Sequence, residues 1–186
     1  MERARRTDAR TNRERILTVA EDVFGKGGDS ASTEEVARLA GVGIATVFRH
    51  FPTKTALLRA VMIIRLDRLY SQAQALLDAD DAGRAFFDFF ATVVADAAGK
   101  LAIANALVDA GGDNDPEVIA AAHRMHDAVT ALLTRAQDTG AVRADVAIPE
   151  VYALLVGTSR AAAYAQLDAE VRGKALAIVF DGLRPQ

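Results

Sequence analysis

Residues 32–54 read Ser32-Thr33-Glu34-Glu35-Val36-Ala37-Arg38-Leu39-Ala40-Gly41-Val42-Gly43-Ile44-Ala45-Thr46-Val47-Phe48-Arg49-His50-Phe51-Pro52-Thr53-Lys54. They bring together side chains that meet a polyanion. Thr46 carries a hydroxyl that can donate to a phosphate or meet a thymine methyl. Lys54 carries a point charge for phosphate, and His50 can bond a phosphate or pack. Arg49 can fork onto the two acceptors of guanine, the commonest specific contact to a base, or onto phosphate. Gly43 has no side chain to hold a sugar-phosphate strand away. Ile44 and Ala45 offer little hydrogen bonding. This is the chemistry of contact and readout, and no bond-breaking constellation accompanies it.

Other chemistries lack their residues. Zero Cys among 186 residues removes thiolate catalysis, thiolate metal sites and disulfides. The chain has no glycine-rich phosphate loop and no Gly-x-Ser-x-Gly elbow. His123 and His126 stand three apart beside Asp127, on one face with Ile119 and Thr130, but spacing places no further ligand with them. We expect no catalytic residue, no metal and no cofactor.

The elements around the motif follow from periodicity. Residues 1–9 are polar, Arg-rich and aperiodic, which predicts a disordered arm. From Thr11 the residues Ile16, Val19, Ala20, Val23 and Phe24 recur at helical spacing. Gly25-Lys26-Gly27-Gly28 stops that helix. Ser32 with Glu35 three positions later is a capping box that starts the next; Val36, Leu39 and Ala40 form its apolar face. Gly41 to Gly43 make a tight turn, and Ile44 to Phe51 a third helix anchored by Val47 and Phe51. Two short helices across such a turn can present the second to a DNA major groove. Pro52 suits the first turn of a fourth helix, which runs to about Leu77 through Leu58, Val61, Ile64 and Leu69.

Beyond an acidic break at 78–83 the pattern stays helical. Helices are expected over 84–98, 100–109, Glu117–Gln137, 149–167 and 170–182, with a loop at Gly111-Gly112-Asp113-Asn114-Asp115-Pro116. The inner stripe of 117–137 is Val118, Ala122, Met125, Val129 and Leu132. The count is about nine helices and no strand, an all-α chain. No run approaches the ~18 apolar residues of a membrane helix. The net charge of −3 is uneven: residues 1–65 hold 12 Lys+Arg against 8 Asp+Glu, and the remainder 10 against 17. A mildly basic head on an acidic body suits polyanion binding at one end.

Asn12-Arg13-Glu14-Arg15-Ile16-Leu17, Val23-Phe24-Gly25-Lys26-Gly27-Gly28, the turn-helix, and Phe51-Pro52-Thr53-Lys54-Thr55-Ala56-Leu57-Leu58 together resemble the TetR family of bacterial transcriptional regulators, without a gap over about 50 residues. The segment Ala136 to Val146 resembles the stretch before the dimerisation helices of that family. The resemblance implies a DNA-binding domain over 1–52 and a ligand-binding and dimerisation bundle over 53–186. It implies a cytoplasmic repressor that binds a palindromic double-stranded operator as a homodimer, with no membrane partner, and is released by a small-molecule effector. An activator of the same fold and a helical interaction protein regulated by a protein partner are the alternatives.

DNA contacts are then expected from Thr33, Gly43, Ile44, Ala45, Thr46, Phe48, Arg49, His50 and Lys54. A minor-groove or phosphate-binding role for Arg3, Arg5, Arg6 and Arg10 stands beside their reading as a solvated tail. Phe48 replaces a Tyr that is common in the family, so its hydroxyl contact to phosphate is lost or replaced by apolar contact with a base methyl. An effector pocket is expected from Phe86, Phe90, Leu107, Met125, His126, Tyr152 and Ser159. The dimer interface is expected at Tyr152, Gly157, Ala161, Tyr164 and Ala165, where small residues let helices approach.

Overall fold

The computed structural model describes residues 2–27, 30–112 and 114–185. These form eight α-helices and no strand: α1 Glu2–Gly27, α2 Thr33–Leu39, α3 Ile44–His50, α4 Lys54–Leu76, α5 Ala82–Asp109, α6 Pro116–Asp138, α7 Ile148–Tyr164 and α8 Ala169–Leu183. The all-α class is as expected. Gly28 of the first stop signal and Asp113 of the long loop lie outside the described residues.

The helix count differs from the expected nine because α5 does not break at Gly99-Lys100. A glycine inside a helix costs up to about 1 kcal/mol, and here close packing offsets it. A Cβ on Gly25 would stand 3.6 Å from the Gly99 Cα, and a Cβ on Gly99 would come 3.1 Å from both terminal nitrogens of Arg65. The first helix is also longer than expected. Its backbone is helical from Glu2, where an aperiodic arm was anticipated, and Glu2, Arg3, Ala4, Arg5 and Arg6 are all good helix formers. The side chains of Arg3, Arg5 and Arg6 lie outside the described part. Pro52 precedes α4 instead of opening it; Thr53 caps that helix, its Oγ1 accepting from the Ala56 N–H at 3.0 Å.

The chain divides into two compact units, Met1–Arg65 with Gly99–Ile119, and Leu66–Ala98 with Ala120–Gln186. In the first unit α1 packs on α2 and α3, and α2 on α3. Ile16, Ala20, Phe24, Val36, Val47, Leu57, Leu58 and Val61 are buried there, joined by Ile103, Ala106 and Leu107 from the end of α5. Polar ties fix the returning segment. Thr55 Oγ1 donates to the Ala110 carbonyl at 3.1 Å, and Arg59 Nη1 lies 2.8 Å from Asp115 Oδ2. Arg65, almost wholly buried, pairs through Nη1 with Glu21 Oε1 at 3.0 Å.

In the second unit Phe87 and Phe90 of α5 pack on Phe180 of α8, and Phe86 meets Phe87 and Phe90 edge-on. Phe90 meets Phe180 edge-on at 5.5 Å and Phe87 lies 4.8 Å from it, near the distances that aromatic pairs favour. Met125, Val129 and Leu132 of α6 are buried as the periodicity predicts, with Ala121, Ala128, Leu133 and Ala136. Val118 and Ala122 are only half-buried. Gln137 Nε2 donates to the carbonyls of Arg143 and Val146, which fastens the loop after α6. One expectation about composition needs correcting. An 18-residue window of α5 reaches a mean hydropathy of 1.4, enough by length and composition for a membrane span. In this fold its Phe86, Phe89, Phe90, Val94 and Ile103 are buried as core.

Candidate nucleic-acid interface

Local signals shape the helix-turn-helix. The Glu35 N–H donates to Ser32 Oγ at 3.1 Å, which caps α2. At the other end the Gly41 N–H donates to the Arg38 carbonyl and the Val42 N–H to the Ala37 carbonyl. That paired pattern is a Schellman stop, and it puts Gly41 at φ +64°, which side chains with a Cβ resist. Gly43 then caps α3 through its backbone only, at an ordinary φ of −70°.

Two anchors set the rotation of α3. Val47 is fully buried and Phe51 nearly so, and the Arg13 guanidinium sits 5.2 Å above the Phe51 ring. With Val47 inward, helical geometry turns Ile44, Ala45, Phe48 and Arg49 outward, and all four are exposed. Among the described residues no group pairs with Arg49. Thr46 and His50 are half-buried at the flanks, with the His50 ring 6.3 Å from that of Phe51.

The remaining expected contacts sit differently. Lys54 Nζ donates to the Ala31 carbonyl at 2.8 Å and lies 5.6 Å from the Phe24 ring centre, so its charge rests against the start of the motif. Thr33 is buried, and its hydroxyl points to Glu34 Oε2 at 3.4 Å. Leu39, expected on the apolar face of α2, is instead 50% exposed, and Ala37 takes the buried place. Helical spacing puts Val36, Ala37 and Ala40 on the packed face and leaves Leu39 beside it.

Two family descriptions match this chain: bacterial regulatory proteins of the tetR family over residues 16–61, and the SbtR-like transcriptional regulator C-terminal domain over residues 81–185. The chain belongs to the TetR family. It is a helix-turn-helix transcriptional regulator and not an enzyme, as the residues predict. It is similar to the TetR transcription regulatory protein of Mycobacterium vanbaalenii, at 38% identity and a TM-score of 0.79, covering 97% of this chain and 99% of that one. It is also similar to the TetR regulator SCO0520 of Streptomyces coelicolor, at 32% identity and a TM-score of 0.76, covering 94% and 99%. The HTH-type transcriptional regulator SAR0097 of Staphylococcus aureus is 35% identical over 78 residues, a match that spans 41% of each chain.

The residues expected to bind an effector in this TetR family member fall in both units. Leu107 is in the first, under Gly112. Phe86, Phe90, Met125, His126, Tyr152 and Ser159 are in the second. Phe86 and Phe90 belong to the aromatic cluster on Phe180, and Met125 is buried on α6. The His126 and Tyr152 rings lie 5.1 Å apart. Burial pushes the Tyr152 phenol above its ordinary pKa. Ser159 Oγ is buried with no hydrogen-bond partner among the described residues. Of the expected interface residues, Gly157 and Ala161 line a groove of about 360 Å³ between α7 and α8, and Tyr164 is 70% exposed.

Sequence reasoning missed Arg59, Asp115, Glu21 and Arg65. Each pair is separated by more than 40 positions, and nothing local marks it. Glu21 falls on the polar side of the α1 stripe, where a carboxylate reads as solvated.

Proposed function

We propose that this regulator is a repressor that binds a palindromic operator as a homodimer and leaves it when a small-molecule effector binds. The observation that carries the operator reading is the outward arc of α3, with Arg49 exposed and without a partner among the described residues, in a helix-turn-helix of a DNA-binding family. Thr33, Gly43, Ile44, Ala45, Thr46, Phe48, His50 and Lys54 complete the proposed contact set, within a DNA-binding domain over 1–52. Residues 53–186 carry the dimer and effector functions, and the protein works in the cytoplasm.

Dimerisation is supported by α7 and α8. Leu154, Val156, Tyr164, Val171 and Ile178 are exposed there, and Ile178 is 75% exposed. With Tyr152, Gly157, Ala161 and Ala165 they supply large apolar side chains and small residues that suit a two-fold interface. The effector reading is supported by the unpartnered Ser159 hydroxyl and the His126–Tyr152 pair, polar handles of the kind a mostly apolar site uses. The effector would favour a conformation whose two recognition helices no longer match half-sites ~34–36 Å apart. Its effect is bounded by its difference in affinity for the two states, typically ~1–3 kcal/mol.

Selection of bound DNA from a random library tests this, with sedimentation of the protein and its complex. A palindrome bound by two chains is expected. Failure to enrich any sequence would remove the operator reading. Raised transcription from the selected site would make the protein an activator.

A further inference from the structure

The exposed arc of α3 is chemically lopsided. Ile44 is 37% exposed and Phe48 41% exposed, and they stand four residues apart, one above the other on the same face. Ala45 is exposed beside them. None of the three can donate or accept a side-chain hydrogen bond, and Val47 on the opposite face already anchors the helix. Arg49 is the single exposed cation on this arc. Thr46 and His50 are half-buried at the flanks, so the outermost part of the arc has one hydrogen-bonding side chain against three apolar ones and is poorly suited to reading a row of base edges through donors and acceptors.

The major groove limits what such a surface can match. Its edges are acceptors and donors with one exception, the C5-methyl group of thymine. Pressing Ile44 or Phe48 against the edge of a G·C pair would strip water from O6, N7 or the N4 amine and return no hydrogen bond, which is unfavourable. Pressing them against a thymine methyl removes apolar surface from water on both sides. The charge of Arg49 draws the helix to the polyanion, and the apolar pair then discriminates among bases.

We propose that Ile44 and Phe48 are specificity-determining residues that recognise the C5-methyl groups of thymines in each half-site. This rests on the operator reading above and names the chemistry that site selects.

The test uses the wild-type dimer and its selected operator. Each thymine is replaced in turn by deoxyuridine, which removes the methyl and leaves O4 and base pairing intact. Affinity is read by fluorescence anisotropy at fixed salt. One to three thymines per half-site should each lose affinity by about fourfold, the value of one buried methyl, while thymines elsewhere change little. In Phe48→Ala the loss at the thymine opposite that residue should disappear, and in Ile44→Ala the loss at its neighbour. Both positions are exposed, so neither variant should unfold, and the deoxyuridine series on the unmutated protein stands without them. An operator bound equally well with every thymine replaced would overturn the proposal and leave the operator reading intact. Failure to bind any DNA would overturn both.

Discussion

Asp115 divides its carboxylate between two tasks: Oδ1 accepts the Glu117 N–H at 3.0 Å and the Val118 N–H at 3.3 Å at the start of α6, while Oδ2 pairs with Arg59 of α4 at 2.8 Å. Two substitutions separate the tasks. Asp115→Asn keeps a capping oxygen and loses the charge, and since Arg59 is partly exposed the cost should stay below about 1 kcal/mol. Asp115→Ala loses the cap as well and should cost about 1–2 kcal/mol more. Urea unfolding of the two variants measures both.

The buried pair of Glu21 and Arg65 should behave more sharply. Arg65→Met removes the 3.0 Å partner of the partly buried Glu21 and should cost about 1–3 kcal/mol. Removing both charges, Glu21→Leu with Arg65→Met, should recover a good part of that loss. A double variant less stable than Arg65→Met alone would count against the pairing as drawn.

Turn glycines separate fold from contact. Gly41→Ala forces a Cβ into a left-handed conformation and should destabilise by about 1–2 kcal/mol. Gln166 holds a similar conformation at φ 47° after α7, so Gln166→Gly should stabilise by up to about 1 kcal/mol. Gly43 is different. A Cβ there meets nothing within 4 Å, and its φ is ordinary. Gly43→Ser supplies the side-chain cap that α3 lacks, so melting temperature should hold or rise. Operator affinity should fall if the strand approaches that backbone. Unchanged affinity would remove Gly43 from the contact set.

Lys54 and Arg49 should differ in salt titrations. Lys54→Ala should weaken binding to all sequences and lower the slope of log K against log salt by about 1. It should also cost some stability, since the Ala31 carbonyl loses its donor. Arg49→Ala should leave stability unchanged and narrow the gap between operator and random DNA.

Tyr152 predicts an alkaline response. Its folded pKa is raised by burial, so the folded state holds the phenol proton after the unfolded chain has released it. The linked stability is full below the unfolded value of about 10 and is lost as pH rises through the folded value. Tyr152→Phe should therefore lose less stability than the wild type between pH 9 and 11, measured by denaturant midpoint.

The helix-turn-helix was legible because its instructions are local. Ser32, Gly41, and Val47 with Phe51 each act within a turn or two of chain as their spacing predicts, while of the expected capping box the Ser32 half is made and the Glu35 carboxylate lies 3.9 Å from Arg38. The departures share a tertiary cause. Gly99 reads as a break in isolation but serves the approach of α1 and the room taken by Arg65. Leu39 belongs to the apolar stripe by periodicity, yet the face that packs is Val36, Ala37 and Ala40, and Leu39 falls beside it. Arg59 with Asp115 and Arg65 with Glu21 join distant segments through groups that would suit a solvated face equally well. The poor hydrogen-bonding capacity of Ile44, Ala45 and Phe48 was legible from residue type, and the burial of Val47 and Phe51 turns those residues outward.

The return of residues 99–119 to the first compact unit bears on how such regulators can be recombined. A chimaera joined after Arg65, giving this DNA-binding head a foreign sensor, would discard the partners of Thr55 and Arg59 and the Gly99 surface against Gly25. A graft that carries 99–119 with the head keeps them. Interchangeable parts in this chain are therefore discontinuous in sequence, and a single crossover does not exchange them intact.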